Sequence, residues 1–235
     1  FNLAFTLGDT TGSHKDFVFR GKVADINAAL DGMVYIPMKD EAEVDTITIT
    51  TTDSVSGNSD TDGITVTVQA VNDPPSFTSV PTSGSSLAEG ETISFSVLNP
   101  LTEIFVFDLD ADDQDIQMQI TVANGTATIN DTAVSIMSGA NGTASMMFQS
   151  PWEKINAAMD GLTFKPAIGF SGNATIKLTV DDLGNSGTGG AKTVSETINI
   201  TVTSANSAPV ITVPAKQAIK QGETLTFSPG FDNVV

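Results

Sequence analysis

Apolar residues alternate with Thr, Ser or Asn along residues 45–53, 63–71, 116–122, 126–129, 175–180 and 194–202. A period of two sends successive side chains to opposite faces of an extended backbone, so each run predicts a half-buried β-strand. The runs are rich in β-branched residues and bounded by Gly, Asn, Asp and Pro, which supply the turns. Many short strands at regular spacing predict a β-sandwich. One kind of segment breaks the alternation. Ile155, Met159 and Leu162 recur at helical spacing, behind Ser150, Pro151 and Glu153, the residues of a capping box with proline at the first helical position. Gly161 closes this segment and Gly32 closes a second version of it. The expectation is an all-β fold of tandem sandwiches, each with one short helical segment.

The pattern is duplicated. Asp25-Ile26-Asn27-Ala28-Ala29-Leu30-Asp31-Gly32-Met33-Val34-Tyr35-Ile36-Pro37 returns as Lys154-Ile155-Asn156-Ala157-Ala158-Met159-Asp160-Gly161-Leu162-Thr163-Phe164-Lys165-Pro166. The match runs without a gap through Thr46-Ile47-Thr48-Ile49 and Thr175-Ile176-Lys177-Leu178 to Asp53 and Asp182. A repeat of this length is a duplicated domain, and tandem arrays serve reach, display or assembly more often than turnover. The linker Val71-Asn72-Asp73-Pro74-Pro75 is stiffened by two prolines, whereas Ala205-Asn206-Ser207-Ala208-Pro209 is softer. These linkers divide the chain into 1–73, 74–207 and 208–235. The first part matches the second domain from Phe148 onward. The last matches only a domain opening, with Gln221-Gly222-Glu223-Thr224-Leu225-Thr226-Phe227 parallel to Glu89-Gly90-Glu91-Thr92-Ile93-Ser94-Phe95. One complete sandwich is thus flanked by a tail-half and a head-half. Half-sandwiches expose strand edges. Either the halves belong to neighbouring domains of a longer chain, or the head-half of one subunit completes the tail-half of the next as a head-to-tail fibre.

Composition narrows the function. The 28 acidic residues outnumber 10 basic ones, for a net charge of −18. Such a chain repels nucleic-acid phosphates and anionic membrane surfaces, and it attracts cations. Cysteine is absent, which excludes disulfides and thiol catalysis. No run of roughly 18 apolar residues is present to span a membrane, and the first residues show no signal-peptide pattern. The only histidine, His14, sits beside Lys15 in a turn-like stretch, and no nucleophile elbow, phosphate loop or metalloprotease helix appears. Asp181 and Asp182 are adjacent, so on a strand they point to opposite faces and make a poor glycosidase pair. Trp152, the single Trp, lies in the capped helix and is expected in the core. The chain is not expected to be an enzyme.

The stretches Ile26–Pro37 and Ile155–Pro166, the run at 172–190 and the closing phrase at 71–75 resemble the cadherin-like tandem repeats of large bacterial surface and secreted proteins. The resemblance covers nearly the whole chain and is most specific at 155–190. It implies an extracellular, cell-surface rod for adhesion or display, with copies of itself or adjacent repeats as head-to-tail partners, surface glycans or proteins as ligands, and Ca2+ at the junctions. Calcium takes about 6–8 oxygen ligands. Carried over by position, the first junction offers Asp53, Asn72, Asp73, Asp108 and Asp110. The second offers Asp181 or Asp182, Glu89, Asn206 and Asp232. Ala70, Pro74 and Ser207 depart from the family's ligands, so fewer ions are expected per junction. The run at 108–115 is also consistent with a solvated acidic loop. It is not an EF-hand, because the Gly and terminal Glu spacing is missing.

Asn124, Asn130, Asn141, Asn173 and Asn199 each begin an Asn-x-Thr glycan-acceptor pattern, one that recurs by chance in a Thr-rich chain. A second reading is a carbohydrate-binding or spacer module of a secreted hydrolase. It would need an exposed aromatic face, and the chain holds one Trp and one Tyr.

Overall fold

A computed structural model describes residues 3–7, 15–81, 84–205 and 216–226, with backbone only at 5–7. The protein is all-β: strands account for 43% of the described residues and helix for 9%. It divides into two compact units, Phe1–Asn72 with Ser186–Gly190, and Asp73–Asn185 with Ala191–Val235. The head-half expected at 208–235 falls largely outside the described residues, and 216–226 carry no strand.

The first unit holds β1 (Ala4–Leu7), β2 (Val18–Arg20), α1 (Val23–Leu30), β3 (Val44–Thr52) and β4 (Ser59–Thr67). They form two separate two-stranded antiparallel sheets, β1-β2 and β3-β4. The alternation at 63–71 predicted a later strand than β4. A tight turn pairs Thr52 with Ser59, and this register draws Ser59, Asp60, Thr61 and Asp62 into the ladder despite their polarity. No residue of α1 is buried.

The second unit begins with β5 (Ser76–Ser79), β6 (Ser85–Ala88), β7 (Ile93–Ser94), β8 (Phe105–Phe107), β9 (Ile116–Ala123) and β10 (Gly125–Thr128). It continues through β11 (Ser135–Gly139), β12 (Ser145–Ser150), α2 (Trp152–Met159), β13 (Thr163–Pro166), β14 (Gly172–Asp181) and β15 (Thr193–Thr203). A six-stranded sheet runs β11-β12-β9-β14-β15-β6, with only the β15-β6 pair parallel. A three-stranded sheet, β10-β13-β7, and a pair, β5-β8, complete the unit. Alternate residues of β9, β14 and β15 enter one core: Ile116, Met118, Ile120, Ile176, Leu178, Val180, Ile198 and Ile200 are all at most 1% exposed. Phe95, Phe148 and Phe164 join them in the same buried cluster.

The helical segment forms where expected, and Ile155, Met159 and Leu162 are buried. Gly161 and Gly32 both have positive φ, 91° and 85°, which glycine adopts without Cβ strain. The capping box does not form. Pro151 itself takes the N-cap position with no side-chain cap, and Ser150 donates its hydroxyl to the Ala133 carbonyl at 3.1 Å. Ser150 is the last residue of β12 and nearly buried, so its hydroxyl serves the neighbouring chain rather than the helix end. Trp152 is half-buried, edge-on to Phe105 and Phe107 at 6.1 and 5.3 Å between ring centroids.

Asn156 has a role that the apolar pattern did not signal. Its side chain is 6% exposed and replaces a strand neighbour for Val106. Val106 N–H donates to Asn156 Oδ1 at 2.8 Å, and Asn156 Nδ2 donates to the Val106 carbonyl at 2.8 Å. Asn141 holds Ile129 in the same two-bond manner, at 2.9 Å each. Replacing Asn156 by Leu leaves a buried N–H and C=O unpaired, so Asn156→Leu is expected to lower stability by about 2–4 kcal/mol in denaturant melts. Asn27 is the equivalent residue of the first unit, where the helix is unburied. Asn27→Leu should cost less than about 0.5 kcal/mol.

Candidate acidic site

Asp108 follows directly on β8. The strand stops at Phe107, so Asp108 and Asp110 do not share a strand face; the Asp108 side chain captures the next backbone donors. Asp108 Oδ1 accepts from the N–H groups of Asp110 at 3.0 Å and Ala111 at 3.1 Å. Asp108 is 3% exposed, and its second oxygen, Oδ2, is buried with no hydrogen-bond partner. Asp110 Oδ2 accepts from the backbone N–H of Asp73, which ties the start of the second unit to this turn.

Asp182 is the second buried acid, at 2% exposure. Its Oδ1 accepts from Gly184 N–H at 2.8 Å and Lys192 N–H at 2.7 Å, closing the loop after β14. Asp181 is half-buried and accepts from Leu183 N–H at 2.8 Å. Burial pushes the Asp108 carboxyl above its ordinary range. The two backbone donors oppose this, and the charges of Asp182 and Asp110 add to it. Negative charge is therefore concentrated around an oxygen that has no hydrogen-bond partner among the described residues.

The other expected ligands are placed elsewhere. Glu89 follows β6, where its N–H donates to the Thr203 carbonyl at 2.8 Å. That is the end of β15 remote from Thr193, which pairs with Asp181. Nine or ten strand residues at about 3.3 Å each separate the two ends, so Glu89 cannot share an ion with Asp181 or Asp182. Asp53 lies in the first unit and is exposed. It accepts from Val55 and Ser56 N–H at 2.7 and 3.0 Å, donors that hold its carboxyl below the ordinary value. This is the loop-closing role of Asp182 at the matching position, without the burial. Asn206 and Asp232 fall outside the described residues, as does His14.

Asn72 is 1% exposed and also belongs to the first unit, with the glycine-rich loop at 186–190. Asn72 N–H donates to the Thr188 carbonyl at 2.9 Å, and its Nδ2 donates to the Gly190 carbonyl at 3.0 Å. A Cβ on Gly187 would lie 2.6 Å from Asn72 N, so only glycine permits this approach. Asn72 thus serves as a backbone clasp.

A shallow recess of about 430 Å³ lies beside Asp108, lined by Phe107, Leu109, Asp112, Asp113, Trp152 and Glu153. Among the described residues, no three His, Cys, Asp or Glu side chains gather in a way that could hold a metal ion by themselves. Asp108, Asp110 and Asp182 therefore form no such site as they stand, and an ion at Asp108 would need main-chain carbonyl or water oxygens as well. Of the glycan-acceptor asparagines, Asn124, Asn130, Asn173 and Asn199 are exposed. Asn141 is not a free acceptor, since both ends of its amide are bonded to Ile129.

No known protein-family model and no curated protein sequence matches the chain. Among the described residues no helix is long and apolar enough to cross a membrane.

The acidic site makes stability depend on pH in a defined direction. The folded protein holds the Asp108 proton above the ordinary carboxylate value of 3.8. Stability from this group is therefore complete below that value and is lost as pH rises through the raised folded one. In chelator, melting curves from about pH 4 to about pH 8 should show the second unit weakening with rising pH, and Asp108→Asn should flatten the trend.

Proposed function

We propose that the chain is a stretch of extracellular, cadherin-like repeats that builds a rod or head-to-tail fibre for adhesion or surface display, stiffened by calcium. It is a mechanical, non-catalytic module. The observation that carries the calcium reading is Asp108, an almost fully buried carboxyl with one unpartnered oxygen beside the charges of Asp182 and Asp110. A carboxylate stranded in this way costs several kcal/mol unless it is neutralised or paired. Calcium is a hard cation that accepts mixed carboxylate, carbonyl and water oxygens. Held by Asp108, Asp110 and Asp182, it would supply the counter-charge and turn a cost into a stabilising contact. The duplicated sequence, the all-β fold and the excess of acid over base support the mechanical role.

A second reading is favoured by the recess itself. Phe107 and Trp152 beside Asp112, Asp113 and Glu153 form the one aromatic-and-acid surface expected of a carbohydrate-binding or spacer module. Glycan-array binding that disappears in Trp152→Ala would establish it.

Calcium titration separates the readings. Binding to the folded form alone raises stability by mass action, by about 2.7 kcal/mol at a hundredfold excess over the dissociation constant. The melting temperature should rise with calcium and return with chelator. Asp108→Asn or Asp182→Asn should abolish that rise, and electron micrographs should show straighter particles with calcium than without. A melting temperature indifferent to calcium, with particles equally bent in both buffers, would sink the reading.

A further inference from the structure

The recess beside Asp108 has walls of two kinds. Phe107 and Trp152 supply aromatic surface, and Asp112, Asp113 and Glu153 supply carboxylates. Asp108 lines it too, 3% exposed, with an Oδ2 that accepts no hydrogen bond. Local structure sets these positions. β8 ends at Phe107, and the turn that follows carries Asp112 and Asp113. Trp152 and Glu153 open α2, where the Glu153 charge offsets the positive helix end. Trp152 packs edge-on against Phe107, 5.3 Å between ring centroids, so the aromatic wall is held in place. All of these residues belong to the second unit.

Among the described residues, Asp112, Asp113 and Glu153 have no ion-pair partner, and no Lys or Arg lines the recess. The acids do not close on a metal ion by themselves. A larger cation, with its charge spread over several atoms, reaches carboxylates that a metal ion does not gather. The aromatic wall selects among such cations. A guanidinium is planar and weakly hydrated, stacks on an aromatic face and donates to carboxylates in pairs. An ammonium is compact and holds its water more tightly. A neutral sugar would leave the carboxylates and the Asp108 oxygen without a counter-charge.

We infer that the recess is a docking site for an arginine side chain of a partner protein, with the guanidinium against Trp152 and Phe107 and its N–H groups donating to Asp112, Asp113 and Glu153. The net charge of −18 draws basic partners toward the molecule. The chain itself carries a single arginine, Arg20, so copies of it are poor donors and the partner is a different, basic protein. The inference goes beyond the calcium reading and does not rest on it, since neither Asp110 nor Asp182 lines the recess.

The test uses the whole chain, in chelator so that calcium binding does not enter. Trp152 is the only tryptophan, so its emission reports occupancy, and calorimetry supplies an independent readout. The probes are capped glycine pentapeptides with arginine, lysine or citrulline at the centre. The arginine peptide should bind saturably, at least about tenfold more tightly than the lysine peptide, and the uncharged citrulline peptide should not bind. Added salt should weaken binding. Glu153→Gln, or Asp112→Asn together with Asp113→Asn, should weaken it roughly tenfold with the melting temperature nearly unchanged, because these side chains are exposed. Trp152→Leu, followed by calorimetry, should lose the preference for arginine over lysine. No saturable signal from the arginine peptide in either readout overturns the inference, and so does an equal response to lysine or citrulline. Binding of agmatine without the arginine peptide would make the ligand a free small cation, and binding of neutral oligosaccharides alone would make it a sugar; either overturns the inference. Emission that shifts with chain concentration until Arg20→Gln removes the shift would make a second copy the occupant and overturn it as well. Failure here with calcium-dependent stabilisation intact would refute the arginine site and leave the rod reading standing.

Discussion

The second unit is organised around one strand. β9 carries hydrogen-bonded neighbours on both edges and sends Ile116, Met118, Ile120 and Val122 into the core. Its two ladders join the β11-β12 hairpin to the β14-β15 hairpin and make six strands one sheet. Among the described residues the first unit holds two hairpins, β1-β2 and β3-β4, with no strand paired to both, and its helix buries nothing. The same motif, Ile-Asn-Ala-Ala, is core in one setting and surface in the other. Burial here follows from the cooperativity of the sheet and is not a property of the motif.

Polar side chains do much of the backbone's work. Asn156, Asn141 and Asn72 each offer an amide to main-chain groups of another segment. Asp53, Asp108, Asp181 and Asp182 accept backbone N–H groups at the turns that end strands. A buried peptide group left unpaired is costly, so a fold of short strands and sharp turns needs such substitutes. This gives the abundant Asn and Asp a structural meaning beyond solubility. Among the buried side-chain oxygens of the described residues, Asp108 Oδ2 is the one without a hydrogen-bond partner.

Electrostatics makes that exception consequential. In a chain this acidic, burial raises the Asp108 carboxyl above its ordinary value, so a proton or a counter-ion favours its folded form. The proton is available at low pH and the divalent cation in calcium-containing surroundings. On the calcium reading proposed above, the second unit would fold more firmly with an ion than without one.

Period-two alternation located β3, β9, β10, β14 and β15 to within a few residues, and the helical spacing located α2. The duplication was plain because both copies preserve the same apolar positions. The acids at 108–115 were visible as a cluster. What alternation could not supply was pairing: β5, β6, β7, β8 and β13 have four residues or fewer, too short for a period to show. Nor could it place Glu89 at the far end of β15, show Ser150 turned to Ala133, or distinguish Asp53 from Asp182, whose sequence neighbourhoods match while their burial does not. The chain by itself determined the repeat, the strand faces and the charge, since these depend on residues near one another in sequence. Tertiary structure alone decided which carboxyl lost its solvent and which strands pair side by side, because burial and pairing depend on segments far apart along the chain.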